Sequence, residues 1–434
     1  MRLRATDVAA AVGGKLLGAD VDVEGAAIDS RLVRGGELFV ALRGERDGHD
    51  FVGAAFDAGA SAALVAVEVG REPAVVVPDT ALALTALAAA ARTRLEARVV
   101  GITGSVGKTS TKDLLAAALA RRWRVSASPK SFNNELGVPL TVLNAPDDTE
   151  ALVVEMGARG KGHVAALCAV ARPLVGVVTT VGVSHSEFFG TVEDIVEAKG
   201  ELVEALPPEG TAVLNAEVAP VAGMAARTSA RVLRFGLEQG DVRAEDVALD
   251  EGLRPSFRLR SPWGDAAVRL GVRGHHQIPN ALAAAAAALA CDTPLDVVAA
   301  GLGDARLSPW RMQLERAPSG VLVLNDAYNA NPLSTEAALR ALAALPAERR
   351  TAVLGIMAEL GDVGPAEHAR IGALAEALGI RVLAVAAPDY GGEQVADAEE
   401  ALERVGRLGP GDAVLVKGSR AAGLETVAGT LAGS

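Results

Sequence analysis

The chain has 434 residues, of which 50% are hydrophobic, 22% are charged and 3% are aromatic, and its formal net charge is −12 at pH 7. This length is enough for roughly two to four domains with buried cores. The acidic balance argues against a general affinity for nucleic acid or for anionic membranes, although one local basic cleft stays compatible with it. Cys168 and Cys291 belong to no CxxC or Cys/His cluster, so we expect neither a disulfide framework nor a zinc site.

The N-terminal stretch MRLRATDVAAAVGGK lacks the continuous apolar segment of a signal peptide. The longest apolar run, ALAAAAAALAC at 281–291, is about half the length of a membrane-spanning helix. We therefore expect a cytoplasmic protein without membrane insertion, and we expect it to be a monomer.

The first block, 1–93, contains the β-type runs GELFVAL, AALVAVE and AVVVPD and ends in the helical stretch ALALTALAAAARTRLEA. Within it, IDSRLVRGGELFVALRGERDGHDF is by itself typical of a glycine-rich β-hairpin. Its hydroxyl, guanidinium and backbone N–H groups are of the kinds that bind a diphosphate.

Two further blocks continue the alternation of strands and helices. The second, 94–309, contains RVVGITG, ALVVEMG, LVGVVTTVG and TAVLNAE, and the third, 310–434, contains GVLVLNDAYN, TAVLGIM, RVLAVAAP and DAVLVKGS. Continuous apolar strands that alternate with helices predict parallel sheets covered on both faces.

The stretch GITGSVGKTSTKDLL at 101–115 predicts a strand, a glycine turn and a helix. Such a turn points backbone N–H groups and a helix N-terminus at one anion. Lys108 would neutralise phosphate charge, and the Thr109 hydroxyl could ligate Mg²⁺. The strict P-loop pattern needs a glycine where Ile102 stands, so the residues alone leave two alternatives, a phosphate site or a glycine-rich turn.

The segment TGSVGKT resembles the TGxxGKT loop of the Mur ligases and of their relative folylpolyglutamate synthase, which are ATP-dependent enzymes that join a carboxylate to an amine. The resemblance implies an α/β fold of three domains: a small α/β domain for a UDP substrate, a central P-loop-type parallel sheet with flanking helices, and a Rossmann-like C-terminal α/β domain. It also implies that the loop binds ATP through Gly104, Ser105, Val106, Gly107, Lys108, Thr109 and Ser110.

Two further segments carry the residues that match the family's metal centre. VVEMGARGKG places Glu155 at a strand end, and TTVGVSHSEFFGTVEDIVEAKGE places His185 and Lys199 at the family spacing, 199 − 185 = 14. The resemblance implies that Thr109 and Glu155 serve one Mg²⁺, that His185 serves a second, and that a carbamylated Lys199 helps to hold it. The expected catalytic residues are Lys108, Glu155, His185 and Lys199. Taken singly, each would be a solvated loop, packing or surface residue.

The adenine and ribose contacts are expected from three more segments. GHHQIPNALAAAAAAL at 274–289 resembles the family's G-x-H-N-x-x-N-A-L-A-A, with Gln277 where asparagine is usual. SPWRMQ and NDAYNANP follow it. The resemblance implies nucleotide contacts by Asn280, Arg311, Asp326, Tyr328 and Asn329. Because these contacts come from two blocks, we expect domain closure on binding.

The N-terminal stretch resembles the family's DSR…GxLFVAL.G…DGHxF signature, which binds the UDP part of a cell-wall precursor. The matching positions are Ser30, Arg31, Asp47, Gly48 and His49. GIMAELG and VLVKGSR resemble the family's C-terminal GDMxELG and VKGSR, with Ile356 in place of the usual aspartate.

SFNNELGVPLT and DAYNANPLS resemble the branch of the family that adds D-alanyl-D-alanine to UDP-N-acetylmuramoyl-tripeptide, in peptidoglycan synthesis. Asn133 and Asn134 are then expected to face the substrate. Two alternatives remain: the sibling branch that adds diaminopimelate or lysine, and a degenerate nucleotide-binding homologue without ligase activity. Folylpolyglutamate synthase is disfavoured because it lacks the DSR and DGH segments.

Overall fold

The computed structural model describes residues 1–182 and 191–433. The N-terminal part forms a five-stranded sheet of order β2-β7-β6-β5-β4 and a two-stranded antiparallel pair, β1-β3. Its strands are β1 Arg2–Arg4, β2 Lys15–Leu17, β3 Asp22–Glu24, β4 Ala26–Ala27, β5 Leu38–Val40, β6 Ala62–Val65 and β7 Ala74–Val76. Its helices are α1 Ala5–Val12, α2 Val52–Asp57 and α3 Thr80–Arg92.

The hairpin interpretation of the stretch from residue 28 to 51 is wrong. Strands β4 and β5 pair in parallel, so the chain between them must return before the second strand begins. The carboxylate of Asp29 accepts the N–H of Arg31 and caps the 3₁₀ turn Ser30–Leu32, which commits this segment to a turn instead of a ladder.

The central part forms a nine-stranded sheet of order β16-β15-β14-β13-β12-β11-β8-β10-β9. Its strands are β8 Arg98–Thr103, β9 Val125–Ala127, β10 Ala151–Glu155, β11 Val175–Val178, β12 Thr211–Asn215, β13 Arg231–Gly236, β14 Val242–Leu249, β15 Pro255–Ser261 and β16 Gly264–Arg269. Its described helices are α4 Lys108–Ala120, α5 Gly137–Leu143, α6 His163–Ala171, α7 Val192–Glu204, α8 Ala219–Gly223, α9 Gln277–Ala290 and α10 Leu295–Asp304.

The sheet is parallel from β9 to β14, as predicted, but β14, β15 and β16 pair antiparallel. This extension was not predicted. Its strands alternate apolar with charged residues because one face is exposed, whereas β8, β10 and β11 are buried on both faces. The alanines 283–288 of α9 are fully buried, and α9 packs against α4, so small side chains let the two helices approach closely.

The C-terminal part forms a six-stranded sheet of order β17-β18-β22-β19-β20-β21, parallel except for the pair β17-β18. Its strands are β17 Gln313–Arg316, β18 Leu322–Asn325, β19 Arg349–Gly355, β20 Arg381–Val385, β21 Glu393–Val395 and β22 Asp412–Lys417. Its helices are α11 Pro332–Ala344, α12 Gly364–Ala377, α13 Ala398–Val405 and α14 Glu425–Ala432. The predicted α/β class is confirmed, and the block boundaries at 93 and 309 stay predictions.

Every apolar run that was predicted as a strand contains one. Across the described ranges, no helix has the length and apolarity needed to cross a membrane.

Candidate functional site

The glycine loop joins the end of β8 to the start of α4. Gly104 and Gly107 have φ of 147° and 85°, values that favour glycine. A Cβ atom at Gly104 would collide with Thr179 Oγ1, and one at Gly107 with Asn280 Oδ1. Thr179 Oγ1 donates to the carbonyl of Val106 at 2.6 Å and ties the loop to the chain beyond β11. Residues 105–110 line a cavity, which we call the nucleotide cavity. The displaced glycine therefore still builds an anion cradle at a helix N-terminus.

Lys108 is the cation of this loop. Its Nζ donates to the carbonyl oxygens of Gly104 at 2.6 Å and Ser105 at 3.3 Å. Burial lowers the pKa of Lys108, the nearby carboxylates of Glu155 and Glu359 act against that shift, and Arg311 reinforces it. The ammonium thus sits within reach of groups from both the central and the C-terminal sheets.

Glu155, at the end of β10, is 1% exposed, so it is not a solvated loop residue. Its Oε1 accepts from Asn133 Nδ2 at 2.8 Å. Its Oε2 is buried, and within residues 1–182 and 191–433 it has no hydrogen-bond partner. Both Glu155 and Thr109 line the nucleotide cavity. A buried carboxylate oxygen without a donor and a hydroxyl that lines the same cavity are suitable ligands for a hard cation.

Lys199, on α7, is 2% exposed, and so it is not a surface helix lysine. Burial, and then the charge of Lys108, lower its pKa well below the ordinary value. His185 lies outside the described residues, so its part in the metal centre is untested. Among the residues that the structure describes, no group of three His, Cys, Asp or Glu side chains could hold a metal. The expected metal ligands therefore include a threonine hydroxyl and a modified lysine, Thr109 and Lys199, in addition to Glu155 and His185.

The C-terminal part closes the nucleotide cavity from the other side. Arg311 Nη2 donates to Thr109 Oγ1 at 3.0 Å, and its guanidinium carbon lies 4.2 Å from the centre of the Tyr328 ring. The Tyr328 hydroxyl is hydrogen bonded to Ser131 Oγ. Asp326 accepts from Lys417 Nζ at 2.5 Å and, through Oδ1, from the N–H of Met312 at 3.0 Å. The predicted residues Arg311, Asp326, Tyr328 and Asn329 are thus brought to the loop.

Lys417 was not predicted as a site residue, although it lines the nucleotide cavity. It is 2% exposed, and its Nζ also donates to the Asn329 carbonyl at 2.8 Å. The available signal was its position at the end of a buried strand, in VLVKGSR, where polar groups of α/β sites collect.

Asn280 is held by a chain of amide contacts at the start of α9. Its Nδ2 donates to Gln277 Oε1 at 2.9 Å, and Gln277 Nε2 lies 3.0 Å from His276 Nε2. Since an amide nitrogen can only donate, His276 Nε2 accepts. Burial lowers the pKa of His276 to about 4, which keeps the ring neutral. Gln277, in place of the usual asparagine, therefore bridges His276 and Asn280.

A second cavity adjoins the first, and Lys108 and Asn133 line both. Lys199 and Asn134 also border it. The side-chain oxygen of Asn134 accepts the N–H groups of Leu136 at 3.3 Å and Gly137 at 2.9 Å, so it caps α5 in addition to facing the cavity. The remaining lining residues of this second cavity are Glu135, Gly157, Ala158, Arg159, His163, Ala166, Leu167 and Glu359.

The predicted UDP-binding residues lie elsewhere, and none of them lines either cavity as described. Arg31 is 85% exposed at its side chain and pairs with Asp29 at 2.6 Å. His49 is buried: its Nδ1 lies 2.6 Å from Asp47, and its Nε2 accepts the N–H of Ala66 at 2.8 Å. Backbone atoms of residue 42 leave no room for a Cβ at Gly48. With Ser30, which begins the 3₁₀ turn, their substrate role stays a prediction.

The sheets and the loop define the class of protein first: an α/β protein with a P-loop-type phosphate cradle enclosed by a second α/β unit. Three family descriptions match in chain order: "Mur ligase family, catalytic domain" at residues 22–95, "Mur ligase middle domain" at 102–288, and "Mur ligase, glutamate ligase domain" at 310–420. The UDP-N-acetylmuramoyl-tripeptide–D-alanyl-D-alanine ligase of Mycobacterium tuberculosis is 44% identical over 99% of this chain and 98% of its own length. The chain belongs to the Mur ligase family.

Solved structures agree with this assignment. MurF from Acinetobacter baumannii matches with a TM-score of 0.89 at 31% identity, over 100% of this chain and 99% of its own. The MurF ligase from Thermotoga maritima, solved in complex with ADP, matches with a TM-score of 0.82 at 31% identity, over 93% of this chain and 96% of its own.

Proposed function

We propose that this chain is an ATP-dependent ligase that adds D-alanyl-D-alanine to UDP-N-acetylmuramoyl-tripeptide in peptidoglycan precursor synthesis. The proposed chemistry rests on one observation: Lys108 and Asn133 line both cavities. A phosphoryl donor in the nucleotide cavity and a carboxylate in the second cavity would therefore meet at Lys108. The choice of substrates is supported by the names of the similar ligases from Mycobacterium tuberculosis and Escherichia coli, which match 99% and 96% of this chain.

ATP is assigned to the nucleotide cavity. The loop 104–110 offers backbone N–H groups and the Lys108 ammonium to the phosphates. Arg311 adds a second cation beside Thr109, and Asp326, Tyr328, Asn329 and Asn280 line the remainder. The similar Thermotoga ligase was solved in complex with ADP, which supports an adenine nucleotide as the ligand of this chain.

Mg²⁺ would be held by Glu155, whose buried Oε2 lacks a partner within the described residues, and by the Thr109 hydroxyl. The ion would supply positive charge against the transferring phosphoryl group. A carbamate on Lys199 would add an anionic oxygen ligand, and His185 is assigned by family resemblance. The burial of Lys199 supports the modification, because only an unprotonated amine adds carbon dioxide. Acid-free intact mass spectrometry tests it: the wild type should carry the added mass of one carbon dioxide, and Lys199→Ala should not. Absence of this adduct from the wild type, or an equal adduct on both proteins, would contradict the modification.

The reaction follows in two steps. An oxygen of the tripeptide's terminal carboxylate attacks the γ-phosphorus of ATP. The bond between this phosphorus and the β–γ bridging oxygen breaks, which releases ADP and leaves the tripeptide as an acyl phosphate. The uncharged amine of the dipeptide then attacks the acyl carbon and gives up a proton as the amide forms. The bond between carbon and phosphate oxygen breaks, and phosphate leaves. Lys108 and Arg311 would balance the charge of the transferring group and hold it in line.

Because the nucleotide cavity is lined from both 94–309 and 310–434, we also propose closure of these blocks on binding. Small-angle scattering with an ATP analogue and the UDP substrate measures it, and an unchanged radius of gyration would contradict it. The monomeric state and the cytoplasmic location stay expectations; light scattering coupled to size-exclusion chromatography tests the former.

The test of function is phosphate release from ATP by the purified chain with two substrate pairs. We expect turnover with UDP-N-acetylmuramoyl-tripeptide and D-alanyl-D-alanine, with the pentapeptide product identified by mass. Turnover only with the UDP-dipeptide and diaminopimelate or lysine would keep the ligase chemistry but overturn the substrate assignment. ATP binding without turnover of either substrate pair would favour the remaining alternative, a degenerate nucleotide-binding homologue without ligase activity.

A further inference from the structure

The turn after β19 brings a carboxylate of the C-terminal sheet to the second cavity. Glu359 is half-buried and lines this cavity together with Lys108, Lys199 and Asn133, all of which belong to the central part. Its charge also acts on the ammonium of Lys108. The chemistry proposed above uses none of the carboxylates contributed from this side of the cavity.

The backbone of Glu359 is strained. Its φ is +63°, a left-handed conformation that costs a residue with a Cβ about 1 kcal/mol or more. The surrounding turn is fixed: the N–H of Ala358 donates to Ser419 Oγ and the N–H of Met357 to His368 Nε2, both at 2.9 Å. Strain that is held in place by several contacts is typical of a residue whose side chain must point at a ligand.

The charges of the cavity divide between the two substrates. Lys108 and Arg159 are basic residues and suit the tripeptide carboxylate and the phosphoryl group, whereas Lys199 is reserved for the carbamate proposed above. The attacking amine, by contrast, arrives as an ammonium ion and needs an anionic acceptor. Within residues 1–182 and 191–433, the side-chain carboxylates that line this cavity are those of Glu135 and Glu359. Glu135 is exposed and belongs to the central part, whereas Glu359 is half-buried and comes from the C-terminal part.

We infer that Glu359 binds the amino group of the incoming D-alanyl-D-alanine and directs it at the acyl carbon. This inference rests on the proposed function. Glu359 is then a residue that determines which nucleophile is accepted. The C-terminal part binds the amino group, and the central part binds the carboxylate that is activated.

The experiment uses the full chain at saturating ATP and UDP-N-acetylmuramoyl-tripeptide, with the dipeptide varied. Glu359→Gln and Glu359→Gly should each raise the KM for D-alanyl-D-alanine about tenfold or more, which is the effect expected from the loss of one charge-assisted hydrogen bond. The KM values for ATP and the UDP substrate should stay within about twofold. Glu359→Gly also guards against misfolding, because glycine accepts the left-handed backbone at this position; a cooperative thermal unfolding transition would show that the variant is folded.

An analogue without the amine, N-propionyl-D-alanine, separates binding of the amino group from damage to the cavity. Its inhibition constant should be the same for the wild type and both variants. An unchanged KM for the dipeptide, an equal weakening of the analogue, or a larger effect of Glu135→Gln would each overturn the inference. A wild-type chain that does not ligate this pair at all would instead contradict the proposed function, so the two failures are distinct.

Discussion

The guanidinium of Arg311 donates a hydrogen bond of 3.0 Å to the hydroxyl of Thr109, and so joins two residues that are 202 positions apart in the chain. The same guanidinium stacks on Tyr328 at 4.2 Å. A residue just before the C-terminal sheet therefore reaches the first turn of α4. The nucleotide cavity is complete only when the central and C-terminal parts are both in place.

Replacement of Arg311 by lysine should weaken nucleotide binding. Lysine keeps the charge but loses the planar group that bonds Thr109 and stacks on Tyr328 at once. We expect the Kd of a non-hydrolysable ATP analogue to rise by about 30-fold, since the two contacts contribute about 1 kcal/mol each. Isothermal titration calorimetry measures this, with the exposed Arg316→Lys as the control. Equal affinities of the wild type and Arg311→Lys for the analogue would mean that the guanidinium only joins the central and C-terminal parts and does not contribute to nucleotide binding.

Lys108→Ala should abolish turnover while the fold persists. The variant loses the ammonium that bridges the Gly104 and Ser105 carbonyls and faces both cavities. We expect kcat to fall by at least about 100-fold, as for one preorganised donor at a site of developing charge. The melting temperature should change little, because removing a cation whose pKa burial already lowers also removes a desolvation penalty. Lys161→Ala, an exposed lysine, is the control, and substantial residual ligation by Lys108→Ala would contradict the role of the loop.

Lys112→Met should destabilise the central part. Lys112 is 2% exposed, and its Nζ donates at 2.8 Å to the carbonyls of both Ser128 and Lys130. Methionine keeps the volume but leaves these acceptors, and Asp113 at 3.1 Å, without their donor. We expect a loss of about 2–4 kcal/mol in the free energy of unfolding, measured with urea. The exposed Lys130→Met should lose less than about 0.5 kcal/mol; similar losses in both would contradict the role of the buried amine.

The neutral His276 should make stability depend on pH in the acid range. Its pKa is lowered by burial from 6.5 to about 4, so between these values the unfolded chain binds a proton that the folded chain does not. The contribution is therefore complete above pH 6.5 and is lost as the pH falls towards about 4. At pH 5 the loss should be about 2 kcal/mol.

Comparison of urea unfolding at pH 7.5 and pH 5 measures this effect. His276→Gln should lose less stability than the wild type on acidification, whereas His275→Gln, at the exposed neighbour, should lose the same amount as the wild type. A wild type and a His276→Gln variant with the same pH dependence would show that the ring is already solvated in the folded state.

Local patterns predicted much of this architecture. Runs of apolar, β-branched residues give the buried parallel strands, and the segment from Arg98 to Ala120 carries its own strand, glycine loop and helix. The antiparallel extension β14-β15-β16 was missed because its strands alternate charged with apolar residues. The parallel pairing of β4 with β5 was mistaken for a hairpin, since local glycine content does not fix the direction in which the chain returns.

Neighbouring residues along the chain specify the strands, the phosphate loop and the family spacing of Glu155, His185 and Lys199. Packing between distant segments specifies that Glu155 and Lys199 are buried, that Lys417 reaches Asp326, and that the strained Glu359 lines the same cavity as Lys199. Burial and electrostatic environment arise from the packing of segments that are far apart in the chain. Residue type and local spacing therefore specify which side chains the site can use. The packing of the central sheet against the C-terminal sheet specifies which of these side chains lie together in the cavities.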